Sequence, residues 1–318
     1  MKNEIIKEIE SILKKKKISY ENLKFLAGDA SNRKYFNIKI QNKDFVLMYD
    51  DNPESLKKFI KISKVLSDTV TIPKIYLNFK VNNILIIENF GHKKFSNIIN
   101  CSNQNFLYSL ATDALIHVHK QKIEYNLDFY DENKFTNESN LFFEWFLQKD
   151  DSLKNKLKID FNNEFKEFID LLENIPKVFI HRDYHVDNLF LIENRNKHFR
   201  CGWIDYQDAL VGPCAYDLVS LTQDARIDVD TQIERKIINY YLKSFSNINP
   251  TEFEICYKII AIQRHLKVLG IFKRLAARDN KKNYLVHIPR VIRMLKKNLN
   301  NKEFRPISKI LIPLLNHD

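Results

Sequence analysis

Two short stretches in the second half of the chain hold residue types that can act together. The first is His181-Arg182-Asp183-Tyr184-His185-Val186-Asp187-Asn188, the second Trp203-Ile204-Asp205-Tyr206-Gln207-Asp208. Between them lie Leu189-Phe190-Leu191-Ile192-Glu193, a polar turn over 194–198, and Phe199-Arg200-Cys201-Gly202. Apolar and aromatic runs around a polar turn predict a β-hairpin. Folding it returns Asp205 to the neighbourhood of Asn188, with Asp183 one loop away, so that two carboxylates and an amide oxygen converge. Hard oxygen ligands suit Mg²⁺, which keeps waters and completes its shell with phosphates. The pattern predicts phosphoryl transfer, with Asn188 and Asp205 as metal ligands and Asp183 orienting a hydroxyl and accepting its proton.

The spacing H-x-D-x-x-x-x-N is that of kinase catalytic loops. An aspartate at a strand end one hairpin later is the second half of the same signature. Either motif alone also describes an ordinary polar turn; the two in order, with the hairpin between, describe a site. Upstream, Ala27-Gly28-Asp29-Ala30-Ser31-Asn32-Arg33 joins the first two expected strands, where a phosphate-covering loop belongs. It has one glycine instead of G-x-G-x-x-G. Gly28, Ser31 and Asn32 are expected to hold phosphate oxygens through backbone and side-chain donors, with Arg33 adding charge. The strand Phe45-Val46-Leu47-Met48-Tyr49-Asp50 lacks the lysine that pairs with ATP phosphates in most kinases, and Arg33 is the expected substitute. Glu88 and Phe90, in Glu88-Asn89-Phe90-Gly91, are expected to offer backbone groups to adenine.

Five further residues are expected on the acceptor side: His185, Gln207, Asp208, and Arg264 and His265 of Gln263-Arg264-His265-Leu266-Lys267-Val268-Leu269-Gly270. For the basic helix face around Arg264, a solvated surface is the competing reading. Asp217 either caps its own helix or bonds the catalytic-loop backbone, and the second role is preferred. His117 and His119, two apart on a helix, do not share a face and are not read as a metal pair.

The elements that must position these residues follow from pattern. A lysine-rich amphipathic helix over 4–17 precedes strands over 23–26, 34–40 and 45–49, a helix from Pro53 to about 66, and strands over 74–79 and 83–87. From 104 the pattern is helical, over 104–119, 134–149, 161–174, 214–225, 230–245, 251–277 and 283–298, with the hairpin the only β element. The reading is an α+β, protein-kinase-like two-lobed fold: a small antiparallel-sheet N-lobe over 1–90 and a mostly helical C-lobe over 91–318, with a nucleotide between them. The chain has only five glycines in 318 residues, and most fall at expected turns or near the site.

Composition narrows the class. At 44% hydrophobic residues the chain is globular, and no apolar run approaches the roughly 18 residues of a membrane span. The N-terminus lacks the apolar core of a signal peptide. Four cysteines without a Cys-x-x-Cys fit reduced thiols in the cytoplasm. The net charge of +11 comes from lysines spread along the chain with no aromatic interleaving, so no nucleic-acid partner is expected. The charge suits an anionic ligand such as ATP.

The chain resembles the aminoglycoside-phosphotransferase-like, or protein-kinase-like, superfamily. Asp29-Ala30-Ser31-Asn32-Arg33-Lys34-Tyr35-Phe36, His181–His185, Ile204-Asp205-Tyr206-Gln207-Asp208-Ala209 and Gln263–Gly270 are similar to one subgroup, the cell-wall sugar kinases. These phosphorylate the anomeric hydroxyl of N-acetylmuramate and N-acetylglucosamine in peptidoglycan recycling. The similarity spans roughly residues 20–295. That subgroup also lacks the strand lysine, and tends to have Met-Asp where this chain has Met48-Tyr49-Asp50. The resemblance implies ATP and Mg²⁺ as cofactors, a small-molecule sugar as substrate, and a sugar 1-phosphate product normally passed to a uridylyltransferase. The alternatives are an aminoglycoside or choline-type phosphotransferase, or a nucleotide-binding regulatory pseudokinase. Intact Asp183, Asn188 and Asp205 weigh against the last.

Overall fold

Ile5, Ile6, Ile9, Ile12 and Leu13 recur at the spacing of one helix face, and the chain opens with helix α1 (Lys2–Lys15). The computed structural model describes residues 2–28, 33–121 and 126–316. In chain order come β1 (Glu21–Ala27), β2 (Arg33–Ile40), β3 (Lys43–Asp50), α2 (Pro53–Leu66), β4 (Ile75–Phe79), β5 (Ile84–Glu88) and α3 (Phe95–Ile98). Then follow α4 (Gln104–Lys120), α5 (Glu132–Leu141), α6 (Asp151–Asp170), β6 (Lys177–Ile180), β7 (Leu189–Leu191), β8 (Cys201–Trp203) and β9 (Leu210–Pro213). Helices α7 (Tyr216–Thr222), α8 (Thr231–Lys243), α9 (Pro250–Arg278), α10 (Ile288–Leu299) and α11 (Arg305–Leu314) complete it.

The chain forms two compact units, Met1–Ile98 with Asp187–Asp208, and Ile99–Val186 with Ala209–Asp318. The boundary expected after residue 90 thus falls after residue 98, and the hairpin goes with the first unit. Its backbone explains why: Leu191 N–H donates to Lys93 carbonyl, and Trp203 N–H to Thr71 carbonyl, at 2.8 Å each.

In the first unit five antiparallel strands run in the order β1-β2-β3-β5-β4. Ile9, Ile12 and Leu13 of α1 close over Phe36, Ile38, Leu47, Ile84 and Ile86, all buried. Helix α2 starts as its sequence dictates, with Pro53 in its first turn. Asn52 accepts the Glu54 and Ser55 N–H groups at 3.0 and 3.3 Å. The β7–β8 hairpin pairs Leu189 with Trp203 and Leu191 with Cys201. A Cβ on its Gly202 would lie 2.8 Å from the Phe90 ring, so a larger residue there would have to push that ring aside.

The second unit is helical around α9, which packs against α5, α7 and α10. The hairpin is not the only β element past residue 104: β6 and β9 pair antiparallel, Lys177 with Pro213 through Ile180 with Leu210. These strands were too short to show an alternation. The helix expected over 134–149 resolves into α5 and a π-helical turn, Phe142–Phe146, whose Phe142, Phe143 and Phe146 are buried. Helix α6 begins ten residues ahead of the expected 161, in a polar run with few apolar side chains to mark it. Helix α11 was not expected, and carries Pro306 near its start and Pro313 inside. Gly270 of α9 lies against α5: a Cβ there would sit 2.3 Å from the Leu141 backbone.

Candidate active site

The catalytic loop leaves β6 directly, and α7 begins just after β9, so pairing of the two strands brings Asp217 to the loop. Its carboxylate accepts the N–H of His181 at 2.6 Å and of Arg182 at 3.0 Å, and is fully buried. This is the backbone role expected of Asp217. Arg182 sits in left-handed backbone, φ +75°, a conformation that costs a non-glycine residue about 1–2 kcal/mol. Its two peptide groups are both held: the N–H by Asp217, and the carbonyl by Arg264 Nη1 at 2.7 Å. Tyr184 anchors the loop from below, its hydroxyl donating to the Ala111 carbonyl at 2.9 Å.

Asp183 therefore stands on a backbone fixed on both sides. Burial works against its charge, but Lys267, His185, Arg264 and Arg182 outweigh burial and hold its carboxyl well below the usual carboxylate range. Burial and the Arg226 charge keep His185 itself neutral near pH 7. The cations that act on Asp183 at neutral pH are thus Lys267, Arg264 and Arg182.

Two of those cations, Arg182 and Lys267, are organised by Glu138 of α5. It accepts from Arg182 Nη2 and the Tyr130 hydroxyl, from Lys267 Nζ at 3.0 Å and from Gln263 Nε2 at 3.4 Å. Gln263, Lys267 and Gly270 lie four and three apart on α9, one face of the helix. The missing side chain at 270 lets that face approach α5. Glu138 was not among the expected site residues. A signal was present: Phe135, Glu138, Ser139 and Phe142 recur at helical spacing, which puts a glutamate in an apolar stripe.

The competing reading of a solvated face around Arg264 does not hold. Arg264 is 9% exposed, and its Nη2 donates to Ser220 Oγ at 2.6 Å while its guanidinium lies 4.7 Å over the Tyr216 ring. His265 is buried too, and desolvation lowers its pKa to about 3. With His185, Asp224 and Arg226 both residues line a small cavity, about 20 Å³ open to the centre of a water. Asp224 accepts the Val186 and Arg226 N–H groups at 3.3 and 2.9 Å, so it also braces the loop.

In the first unit, Ile204 N–H donates to the Asn188 carbonyl at 3.0 Å, which sets Asp205 beside Asn188 at the open end of the hairpin. Asp205 too is left-handed, φ +65°. Gln207 Nε2 donates to Asp205 Oδ1 at 2.9 Å and to Asp208 Oδ2 at 3.2 Å, and so orients both carboxylates. Between them Tyr206 is fully buried, stacked on Phe59 at 5.1 Å and bonded to Ser63 Oγ at 2.8 Å. Helix α2 thereby pins the segment that carries Asp205. Among the described residues no group of three or more His, Cys, Asp or Glu side chains gathers as a metal site. One carboxylate and one amide oxygen still suit Mg²⁺, a cation that takes few protein ligands and keeps water and phosphate.

The other expected residues of this unit have local partners. Arg33 Nε pairs with Asp50 across β2–β3 at 2.8 Å, with side-chain exposures of 7% and 1%, and its Nη2 donates to Ser55 Oγ at 2.6 Å. That pair anchors the sheet to α2, and two of the guanidinium nitrogens proposed for phosphate are engaged in it. Glu88 takes Arg195 Nη2 on both oxygens, at 2.7 and 2.9 Å, and its N–H bonds Lys74 carbonyl at 2.8 Å. Its backbone amide is therefore spent on the strand pairing. Phe90 packs on Phe190 at 5.7 Å. Gly28 has φ +142°, and a Cβ there would lie 2.6 Å from the Arg33 carbonyl, so only glycine closes this turn. Ser31 and Asn32 lie outside the described residues. His119 is a core histidine bonded to the Tyr241 hydroxyl at 2.8 Å.

The fold is protein-kinase-like. It is shared with a choline kinase from Streptococcus pneumoniae (TM-score 0.67, 15% identity, covering 91% of this chain and 99% of that one). It is shared too with an ADP-bound aminoglycoside phosphotransferase (TM-score 0.56, 15% identity, covering 92% and 98%). The chain belongs to the phosphotransferase enzyme family, whose model matches residues 22–252. Two similar relatives are N-acetylmuramate/N-acetylglucosamine kinases. That of Pseudomonas aeruginosa is 33% identical, over 85% of this chain and 81% of the relative. That of Neisseria meningitidis is 32% identical, over 92% and 90%. No helix among the described residues is long and apolar enough to cross a membrane.

Proposed function

We propose that this chain uses ATP and Mg²⁺ to phosphorylate the anomeric hydroxyl of N-acetylmuramate and N-acetylglucosamine. The observation that carries the reading is the charge around Asp183. A kinase for choline or an aminoglycoside must receive a cation beside its catalytic aspartate. Here Lys267, Arg264 and Arg182 already act on that aspartate, so its charge is met by the protein's own cations and gives a cationic acceptor little to bind. A neutral or anionic sugar is compatible with them, and relatives of about one-third identity carry that activity in their names.

Asp183 orients the hydroxyl and receives its proton as the new O–P bond forms and the γ-phosphoryl bond to ADP breaks. Its depressed pKa makes it a weak base, but phosphoryl transfer asks mainly for positioning. The anomeric hydroxyl is also more acidic than an ordinary alcohol. Asn188 and Asp205 supply the oxygens that would hold Mg²⁺, and Gln207 keeps the Asp205 carboxylate turned. Once bound, the metal neutralises charge on the β- and γ-phosphates. The sugar 1-phosphate product is of the class a uridylyltransferase consumes. An ATP-consumption screen with N-acetylmuramate, N-acetylglucosamine, kanamycin and choline tests the reading. Turnover confined to the two N-acetyl sugars is expected, and turnover confined to kanamycin or choline overturns it.

A further inference from the structure

Both terminal nitrogens of Arg264 are engaged, with the Arg182 carbonyl and Ser220, and its plane lies over the Tyr216 ring. Lys267, one turn further along α9, is less fully engaged. An ammonium has three donors. One goes to Glu138 Oε2 at 3.0 Å and a second, longer one to the Tyr216 hydroxyl at 3.4 Å. The side chain is 10% exposed. A buried donor requires a partner, and the third has none among the described residues. The ammonium also lies beside the loop: Glu138 links it to Arg182, the neighbour of Asp183. It is one of the cations that keep Asp183 ionised.

We propose that Lys267 selects the acceptor, its ammonium donating to the carbonyl oxygen of the 2-acetamido group next to the hydroxyl that Asp183 orients. The inference rests on the sugar-kinase reading above. Two groups on such a sugar adjoin the anomeric hydroxyl: the ring oxygen and the substituent at C2. The amide carbonyl is the stronger acceptor of the two, and both N-acetyl sugars possess it. The lactyl carboxylate of N-acetylmuramate is on C3, one carbon further away, and N-acetylglucosamine lacks it. A cation facing C2 also excludes a sugar with a protonated amine there. Lys267 would thus distinguish an acetamide from both a hydroxyl and an ammonium at one position.

The test is steady-state kinetics of wild type and Lys267→Met with N-acetylglucosamine, glucose and glucosamine as acceptors. A charge-assisted hydrogen bond predicts that wild type prefers N-acetylglucosamine to glucose by at least about 10- to 100-fold in kcat/KM. Lys267→Met takes a cation from Asp183 and Glu138 and so should lower kcat/KM on both sugars, but N-acetylglucosamine should lose a further factor of about 10 to 100, closing the gap. An equal loss on both sugars means Lys267 only braces Glu138 and overturns the proposal. A second arm needs no variant. With wild type, kcat/KM for glucosamine relative to N-acetylglucosamine should rise with pH as the amine loses its proton. A flat ratio overturns the proposal even if Lys267→Met fails to fold. Wild type inactive on every N-acetyl sugar would overturn the sugar-kinase reading itself, and this proposal with it.

Discussion

Asp217 offers the sharpest test of how the loop is held. Asp217→Asn keeps the shape but replaces one carboxylate oxygen, the acceptor of either the His181 or the Arg182 N–H, with a donor. One charge-assisted bond of about 1.5–3 kcal/mol is lost, and a buried N–H is left facing another donor. In a unit of this size each kcal/mol shifts the melting temperature by roughly 2–4 °C, so a fall of about 3–12 °C is expected. Asp217→Ala removes both bonds, and roughly 3–6 kcal/mol approaches the whole stability of an ordinary domain. The functional effect is separate. Without its clamp the left-handed Arg182 can relax, and Asp183 turns with it, so Asp217→Asn should lower kcat while leaving the KM for ATP near wild type. Differential scanning fluorimetry and initial rates at saturating ATP measure the two effects. A variant with unchanged melting temperature and unchanged kcat would refute the claim that this carboxylate sets the loop.

Other expectations follow from the same geometry. Asp183→Asn should abolish turnover while isothermal titration still detects ATP, whereas Asp205→Ala should weaken Mg·ATP binding as well. Arg33→Ala should leave Asp50 buried without its cation and cost about 3–5 kcal/mol in urea unfolding; a pure rise in the KM for ATP with unchanged stability would restore Arg33 as a phosphate ligand. His119 and His265 are held neutral in the folded chain, with pKa values lowered to about 3. Their unfolded pKa is near 6.5, so below it the unfolded state binds more protons. Stability present above pH 6.5 should therefore fall as pH drops, by up to about 2.7 kcal/mol per pH unit for the two. Asp217 and Asp224, pushed up by burial, oppose that trend lower down; melting curves at pH 7 and 5.5 with and without His265→Gln measure it. Asp183 titrates well below the usual carboxylate range, so kcat/KM should show no acid limb from it between about pH 5 and 7.

The legible parts of the sequence were those encoded locally. The hairpin showed itself through its apolar runs and polar turn, and α2 through Asn52-Pro53. Asp217 could be read because it follows Gly212-Pro213 at the start of a helix and close to the motif. What escaped was set by distant partners. Arg33 meets Asp50 through a strand register that no local window shows, so a cation placed near an expected phosphate loop looked available. A solvated face competed with the acceptor-side reading of Arg264 because lysine and arginine rarely lie buried. The burial of Lys267 depends on Glu138, more than a hundred residues earlier, and that of Arg264 on the Arg182 carbonyl and Ser220. Strands β6 and β9, each of four residues, offered too few positions for a period to appear.

The seam between α9 and α5 is made by what residue 270 lacks. Substitution cannot improve such a contact; it can only widen it, and widening moves Lys267 away from Glu138. Three positions on two helices are in this sense one heritable character. Any lineage that fills position 270 must also find a new counter-ion for Lys267 or surrender its charge. Drift in acceptor preference along this face would then come in a jump that exchanges the whole set.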